Sequence, residues 1–215
     1  CWDGQAGLQC RSGVAQGMVQ VGFAHRRLSI LDLSARGRQP MVSADAKYAI
    51  CFNGEIYNYL QIKSELTDYN FTTNSDTEVL LAAFCKWGID CVKRMDGMFA
   101  FAIWDKQKET LLLARDRMGV KPLYFFHQEN IFAFSSEKRS LLSSDLISRT
   151  IDHQSLFEYL SYQSTGYPNT IIKDIQQLKA GTCYKLTRSS VEHFAYWNPT
   201  SIQPIVSVDP ETVRK

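Results

Sequence analysis

The chain has 215 residues, of which 45% are hydrophobic, and this length and composition fit one large globular domain or two small ones. Its 24 basic and 22 acidic residues leave a formal charge of only +2, and the scattered basic residues argue against nucleic-acid binding. The longest wholly apolar run, Met98 to Trp104, falls far short of the roughly 20 residues that span a bilayer, so we expect no membrane association.

The predicted elements are short and are separated by turn-forming residues. Residues 1–20 have weak periodicity and are expected to form loop with a short strand or hairpin. Strands are predicted at 20–25, 47–52, 98–104, 110–115, 122–126, 131–135, 182–187 and 192–197. Helices are predicted at 59–66, 76–87, 137–143 and 153–162. Because strands and helices come in separate runs, the pattern favours an α+β layered fold.

The helix at 76–87 has the clearest boundaries in the sequence. Ser75 and Glu78 have the spacing of a capping box, and Gly88 ends the apolar periodicity. Asp76 falls in the first turn, where a carboxylate is already explained by the favourable interaction with the helix dipole. Capping and helix electrostatics therefore account for this acidic residue without any ligand.

The six cysteines have neither a C-x-x-C pair nor a regular spacing, so neither a zinc site nor a redox-active dithiol is indicated. Cys51 and Cys85 lie in apolar stretches, and we expect both to be buried, reduced thiols. No secretory signal is visible, which favours a cytoplasmic location. The sequence indicates no cofactor or metal site in this chain.

The most informative stretch is Asn53-Gly54-Glu55, which follows the apolar strand predicted at 47–52. If that strand ends at residue 52, the amide side chain and the next main-chain N–H become available to bind an oxyanion. The alternative interpretation is a hairpin turn, for which Asn-Gly is a strong signal.

The surroundings of this stretch resemble a known family. Residues 52–59 resemble the glutaminase motif of class II glutamine amidotransferases. Five further blocks resemble one branch of that family, the asparagine synthetases, at 25–34, 39–41, 74–81, 97–105 and 114–124. The similarity runs from about residue 22 to about residue 142 and continues weakly to about residue 197.

The resemblance implies a fold and a set of glutamine-binding residues. The fold would be a four-layer α-β-β-α sandwich of the N-terminal-nucleophile hydrolase type that lacks its first strand. Asn53 and Gly54 would form the oxyanion hole, and Glu55 and Asp76 would hold the ammonium group. Arg27 would pair with the substrate carboxylate, although a surface arginine on a strand is the alternative. The backbone of Leu28, Ser29, Ile30 and Leu31 would line the same pocket.

A charged segment, Arg115, Asp116, Arg117 and Lys121, also matches the family. The resemblance implies that it lies toward the synthetase domain, whereas a solvated turn held by Gly119 and Pro122 is the alternative.

The nucleophile is where the chain departs from the family pattern. The family nucleophile is an N-terminal cysteine whose own α-amine acts as the base and which is followed by Gly and an apolar strand. This chain begins Cys1-Trp2-Asp3-Gly4, and only 25 residues separate Cys1 from Arg27, without the family's His-Arg-Gly-Pro-Asp segment. We therefore expect the family's nucleophile to be missing, and Cys1 would be the nucleophile only if it were a true mature N-terminus.

The resemblance also implies a domain organisation. Residues 1–197 would be an N-terminally incomplete glutaminase domain, and 198–215 a linker toward an absent synthetase domain that uses ATP and Mg²⁺ to amidate aspartate. Glutamine and that synthetase domain are the implied partners, and the parent protein could form a homodimer. Two alternatives stay open: an acceptor that is a sugar or peptide precursor, and a catalytically inactive module that only binds glutamine or a partner.

Overall fold

The computed structural model describes residues 2–3, 7–8, 21–26, 35–128, 131–144 and 146–201. The strands in chain order are β1 (Trp2–Asp3), β2 (Gly7–Leu8), β3 (Gly22–Phe23), β4 (Met41–Val42), β5 (Tyr48–Ile56), β6 (Gly97–Asp105), β7 (Thr110–Arg115), β8 (Tyr124–Gln128), β9 (Ile131–Ser135), β10 (Ile175–Gln177), β11 (Thr182–Leu186) and β12 (Val191–Ala195). The helices are α1 (Tyr59–Ser64), α2 (Asp76–Trp87), α3 (Lys138–Leu142) and α4 (His153–Tyr162). Within the described ranges, no helix is long and apolar enough to cross a membrane.

Two antiparallel sheets form the centre of the molecule. The large sheet has the strand order β12-β11-β7-β6-β5-β4, and the small sheet has the order β10-β8-β9. The short strands β1, β2 and β3 pair separately in the order β2-β1-β3. The longest pairing joins β5 to β6 over nine residues, from Tyr48 opposite Asp105 to Ile56 opposite Gly97.

Alternating side chains of the large sheet pack into two different cores. On one face, Phe52 and Phe101 pack with Leu80 of α2 and Ile62 of α1. On the other face, Ala49, Ala102 and Leu113 pack against the small sheet through Leu123, Phe125 and Phe134. A third core joins the outer face of the small sheet to α3 through Phe126, Ile175 and Leu141. The layers are therefore helix, sheet, sheet and helix, as expected for the α-β-β-α sandwich.

The structure confirms most elements and corrects some of their bounds. The helices at 76–87 and 153–162 begin and end where the sequence predicts. The strand predicted at 47–52 extends to Ile56, because β6 pairs with it along its whole length. Strands β4 and β10 were not predicted, since two or three residues are too few to show a period. Residues 202–215 of the predicted linker lie outside the described residues.

Two expectations about side chains are wrong. Cys85 is exposed, because it lies in the last turn of α2 on the side away from the sheet, and Cys51 is only half-buried. The alternative interpretation of the charged segment as a solvated turn is wrong for its first two residues, since Arg115 and Asp116 are 7% and 1% exposed.

Candidate functional site

A cavity of about 430 Å³ lies against the second half of β5 and reaches the N-terminus of α2. It is bounded by β5 and β6 on one side and by the end of β9 and the start of α3 on the other. Its lining includes all four described residues that the sequence placed in a glutamine site: Asn53, Gly54, Glu55 and Asp76. The structure therefore brings the described part of the expected site together in one cavity.

The backbone of β5 has one side that is only partly covered. The N–H of Tyr57, just beyond the strand, donates to the carbonyl oxygen of Asp96 at 2.7 Å. This bond shows which alternate residues of β5 have their N–H and C=O groups directed toward β6. Odd-numbered residues of β5 therefore bond to β6, and even-numbered residues point to the opposite side. The short strand β4 covers that side only opposite Ala49 and Ile50. Beyond this point, no strand of the described residues pairs with the even-numbered N–H groups.

Side chains fill this edge on both sides of Gly54. The N–H of Phe52 donates to Oε1 of Gln39 at 2.6 Å, and the N–H of Ile56 donates to Oδ2 of Asp76 at 3.1 Å. Among the described residues, no acceptor is present for the N–H of Gly54, which lines the cavity between these two. One main-chain donor is thus open to a ligand at a position held by bonds on either side.

The reason for this open donor differs from the sequence argument. Asn53 and Gly54 do not follow the end of a strand and do not form a hairpin turn, because both are paired inside β5. The donor is open because the neighbouring strand β4 is short. Glycine is required here by close approach, since a Cβ on Gly54 would lie 2.2 Å from the carbonyl oxygen of Met98.

The side chain of Asn53 supplies a second group to the cavity. Its Nδ2 atom donates to Oγ of Ser136 at 3.2 Å, which ties the large sheet to the segment between β9 and α3. An amide nitrogen carries two hydrogens, so this bond leaves one of them for another acceptor. Asn53 and Gly54 therefore both line the cavity with hydrogen-bond donors, which is the requirement for holding a carbonyl oxygen that gains negative charge.

Two carboxylates line the same cavity. Asp76 is only 6% exposed, and burial raises the pKa of its carboxyl group above the ordinary value. Hydrogen bonds from the N–H groups of Ile56 and Thr77 lower this pKa, and the charge of Glu55 raises it further. A buried carboxylate with an acidic neighbour is stabilised by a cation, such as the ammonium group of an amino acid.

Asp76 is available because other residues cap α2. Oγ of Ser75 accepts the N–H of Glu78 at 3.3 Å, as the capping box predicts. The carboxylate of Glu78 instead accepts hydrogen bonds from the main-chain N–H and hydroxyl groups of Thr72 and Thr73, at 2.6–2.9 Å. Asp76 is therefore not the N-cap of α2, and its Oδ2 faces the edge of β5.

Sequence reasoning did not place several polar residues of this lining in the site, among them Gln39, Lys121 and Ser136. Gln39 falls in a family block but has no pattern that indicates its bond to β5. Lys121 was placed in the charged segment and not in the site. Ser136 is 83 residues from Asn53, and no local signal joins two positions so far apart.

Part of the expected site lies outside the described residues. This applies to Cys1, the expected carboxylate ligand Arg27, and the pocket backbone at 28–31. The residues just before this gap, Ala24, His25 and Arg26, line the cavity.

Cys51 also lines the cavity, but burial raises the pKa of its thiol to about 12, which leaves almost no thiolate near neutral pH. It is therefore a poor candidate for a nucleophile.

Comparisons with known proteins identify the family of the chain. The chain matches the family model described as a glutamine amidotransferase domain over residues 10–197. It is 36% identical over 199 residues to glutamine-hydrolyzing asparagine synthetase 1 of Bacillus subtilis, covering 91% of this chain and 31% of that protein. It is also 36% identical over 203 residues to a putative glutamine-hydrolyzing asparagine synthetase 2 of Methanocaldococcus jannaschii, covering 86% of this chain and 39% of that protein.

A solved structure supports the fold. The glutamine phosphoribosylpyrophosphate amidotransferase from B. subtilis is similar with a TM-score of 0.55 at 19% identity, covering 80% of this chain and 34% of that one. The chain spans about a third of the length of the curated relatives it matches.

Proposed function

Since the chain belongs to the glutamine amidotransferase family, we propose that the cavity beside β5 binds glutamine and serves the release of its amide nitrogen as ammonia. The observation that carries this proposal is the open N–H of Gly54, which lies between two N–H groups that side chains already satisfy. This donor lines a cavity together with the side chains of Asn53, Glu55 and Asp76, which is the set of groups that an oxyanion and an ammonium group require.

In this proposal, three sets of groups act on three different parts of glutamine. The carboxylates of Glu55 and Asp76 hold its ammonium group, and Arg27 pairs with its carboxylate. The N–H of Gly54 and Nδ2 of Asn53 donate to the carbonyl oxygen of the side-chain amide. When a thiolate attacks that carbonyl, the oxygen becomes negative, and these donors stabilise it more than they stabilise the ground state.

In the longer protein, the ammonia would pass to an ATP-dependent synthetase domain that amidates aspartate. Support for this comes from the similarity to glutamine-hydrolyzing asparagine synthetases and from the share of their length that the chain spans. A homodimer and a cytoplasmic location are part of the same proposal.

Calorimetric titration of the chain with L-glutamine tests the binding. D-glutamine is the matched ligand, because it has the same groups with the carboxylate and ammonium exchanged about the α-carbon. We expect L-glutamine to bind at one site and D-glutamine to bind at least about tenfold more weakly, since the two charged groups of the D-isomer would face the wrong partners. Equal affinities, or no binding of either, would contradict the proposal.

Glutamate release from glutamine, measured for the chain and for Cys1→Ala, separates hydrolysis from binding alone. Activity that is lost in the variant would identify Cys1 as the nucleophile. Binding without release in either protein would mean that this chain holds glutamine but does not supply the attacking thiol.

A further inference from the structure

Gln39 contacts the edge of β5 beside the proposed oxyanion donor. It takes no direct part in the proposed binding of glutamine or in the release of ammonia. We propose that Gln39 is a positioning residue that fixes the edge of β5 so that the N–H of Gly54 points at the substrate oxygen. This inference rests on the proposed function of the cavity.

The contact between Gln39 and β5 is short and sheltered. Oε1 of Gln39 accepts the N–H of Phe52 at 2.6 Å, which is at the short end of the range for an N–H···O hydrogen bond. Phe52 is 4% exposed, and Gln39 is half-buried. Since β4 ends before this position, a side chain does here what a neighbouring strand does elsewhere in the sheet.

The other end of the same amide reaches α2. Nε2 of Gln39 lies 3.5 Å from Oγ1 of Thr77, in the first turn of the helix that begins at Asp76. Asp76 in turn accepts the N–H of Ile56, two residues beyond Gly54. Gln39 and Asp76 therefore hold the edge of β5 at two points, with Gly54 midway between them.

The position of this donor matters because of the steep dependence of catalysis on geometry. A misplacement of roughly 1 Å in a reacting group costs about 100-fold in rate. Without Oε1 of Gln39 as its acceptor, the N–H of Phe52 would be unpaired. It would then donate to water in the cavity or to the substrate oxygen. Gln39 thus pairs the N–H of Phe52, which would otherwise compete for the substrate oxygen, and holds the N–H of Gly54 in position.

The variants separate the contact to β5 from the contact to α2. Gln39→Met keeps the length of the side chain and removes the acceptor, whereas Gln39→Glu keeps an acceptor oxygen. Thr77→Val is the matched control, because it removes the partner of Nε2 and leaves the bond to Phe52. If Gln39→Met does not fold, Gln39→Asn replaces it, since its side chain is one methylene too short to reach.

Backbone NMR on the full chain gives two readouts. The first is hydrogen exchange of the Phe52 amide, and the second is the downfield shift of the Gly54 amide proton when L-glutamine is added. We expect Gln39→Met to speed exchange at Phe52 by at least about tenfold and to reduce the Gly54 shift by half or more. We expect its glutamine affinity to stay within about threefold, because the groups that hold the ammonium and carboxylate are unchanged. Gln39→Glu and Thr77→Val should behave like the original chain.

Two results would overturn the inference. One is unchanged exchange at Phe52 in Gln39→Met, and the other is fast exchange at Phe52 together with a normal Gly54 shift. An original chain that shows no Gly54 shift and no glutamine binding would instead show that the proposed function is wrong, and the role of Gln39 would fall with it.

Discussion

The carboxylate of Asp76 has two roles in this account: it accepts a main-chain hydrogen bond from β5, and it is proposed to bind the ammonium group of glutamine. Its Oδ2 accepts the N–H of Ile56, so it already helps to hold the edge of β5. The sequence could place Asp76 in the first turn of a helix, but it could not show that Ser75 and the Thr72–Glu78 network leave this acid uncommitted to capping. That outcome depends on which side chains fill the N-terminus of α2 in three dimensions.

We expect Asp76→Asn to weaken glutamine binding by about 10- to 100-fold, because a charge-assisted bond to the ammonium group is lost. Calorimetry measures this loss, and Asp68→Asn, which changes an exposed carboxylate outside the cavity, should leave the affinity unchanged. An Asp76→Asn variant that binds as tightly as the original chain would remove this residue from the site.

The raised pKa of Asp76 also predicts a pH dependence. Only the ionised carboxylate attracts an ammonium group, and a raised pKa means that the free protein takes up this proton at a higher pH than an ordinary aspartate, with its pKa of 3.8. Glutamine affinity should therefore fall as the pH is lowered through this raised pKa, and the part of the fall that Asp76 contributes should be absent in Asp76→Asn. Titrations at several pH values check both parts, and the same pH dependence in the variant would assign it to another group.

Ser136 holds the Asn53 side-chain amide through a hydrogen bond, as Gln39 holds the backbone of β5 at Phe52. We expect Ser136→Ala to free the Asn53 amide, so that its side-chain NH₂ resonances lose most of their shift on glutamine addition. Ser136→Thr keeps the hydroxyl and should preserve the shift. Ser140→Ala is the control, because Ser140 lines the same cavity without a bond to Asn53. Equal losses in both alanine variants would show that Ser136 has no specific role.

At the scale of elements, β5 holds the described part of the site because of its position in the large sheet. One side of the strand is paired along its length with β6, and the other side is left to side chains after Ile50. The continuous apolar run from Tyr48 to Phe52 predicted a strand here, but such a run gives no information about which neighbouring strand is short. The open donor at Gly54 follows from the two-residue length of β4.

We expect Gly54→Ala to destabilise the fold by about 3 kcal/mol, because the added Cβ would lie 2.2 Å from a carbonyl oxygen of β6 that cannot move away. Gly166→Ala is the matched control. The φ of Gly166 lies outside the left-handed region, and an added Cβ would approach only the flexible carboxylate of Glu158, at 3.0 Å, so this variant should cost less than about 1 kcal/mol. Urea denaturation measures both, and equal costs would show that β5 and β6 can separate at this point.

Arg115 and Asp116 form a buried clamp on the loop that runs to Lys121, in which Met118 and Val120 are exposed. The carboxylate of Asp116 accepts N–H groups from Phe99, Met118, Val120 and Lys121 at 2.9–3.2 Å. The guanidinium of Arg115 donates to the carbonyl oxygens of Gly119, Lys121 and Leu178 at 2.6–2.8 Å. Charged residues in a sequence suggest solvent exposure. Only the structure of the loop shows that its main-chain groups form hydrogen bonds with these side chains.

We expect Asp116→Asn to destabilise the fold by about 3 kcal/mol, since an NH₂ group would replace an oxygen that accepts two main-chain N–H groups. Asp96→Asn is the control, because it breaks only an exposed ion pair with Arg117 and should cost less than about 1 kcal/mol. Thermal unfolding followed by circular dichroism compares them. Similar losses for the two variants would contradict a clamping role for Asp116.

At the scale of the whole molecule, the sequence predicted an α+β architecture because strands and helices come in separate runs along it, and the family resemblance specified the four layers. The alternation in β5 and β6 separates two cores, and the 3.6-residue period of α2 covers one of them. The cavity itself could not be predicted, because it lies where β5, α2 and the segment after β9 meet, and those segments are far apart in the chain. The family motif indicated which residues belong to the site, and the structure indicates how they are held.

The central claim is that glutamine binds in the cavity with its amide oxygen at Asn53 and Gly54. Mapping of backbone and side-chain amide shifts by NMR during titration with L-glutamine tests it most directly. The account predicts saturable shifts at Gly54, Glu55 and Asp76 and at the Asn53 side-chain amide, with the largest downfield change at Gly54. Shifts confined to residues elsewhere, such as the exposed helix α4, or no shifts at all, would contradict it.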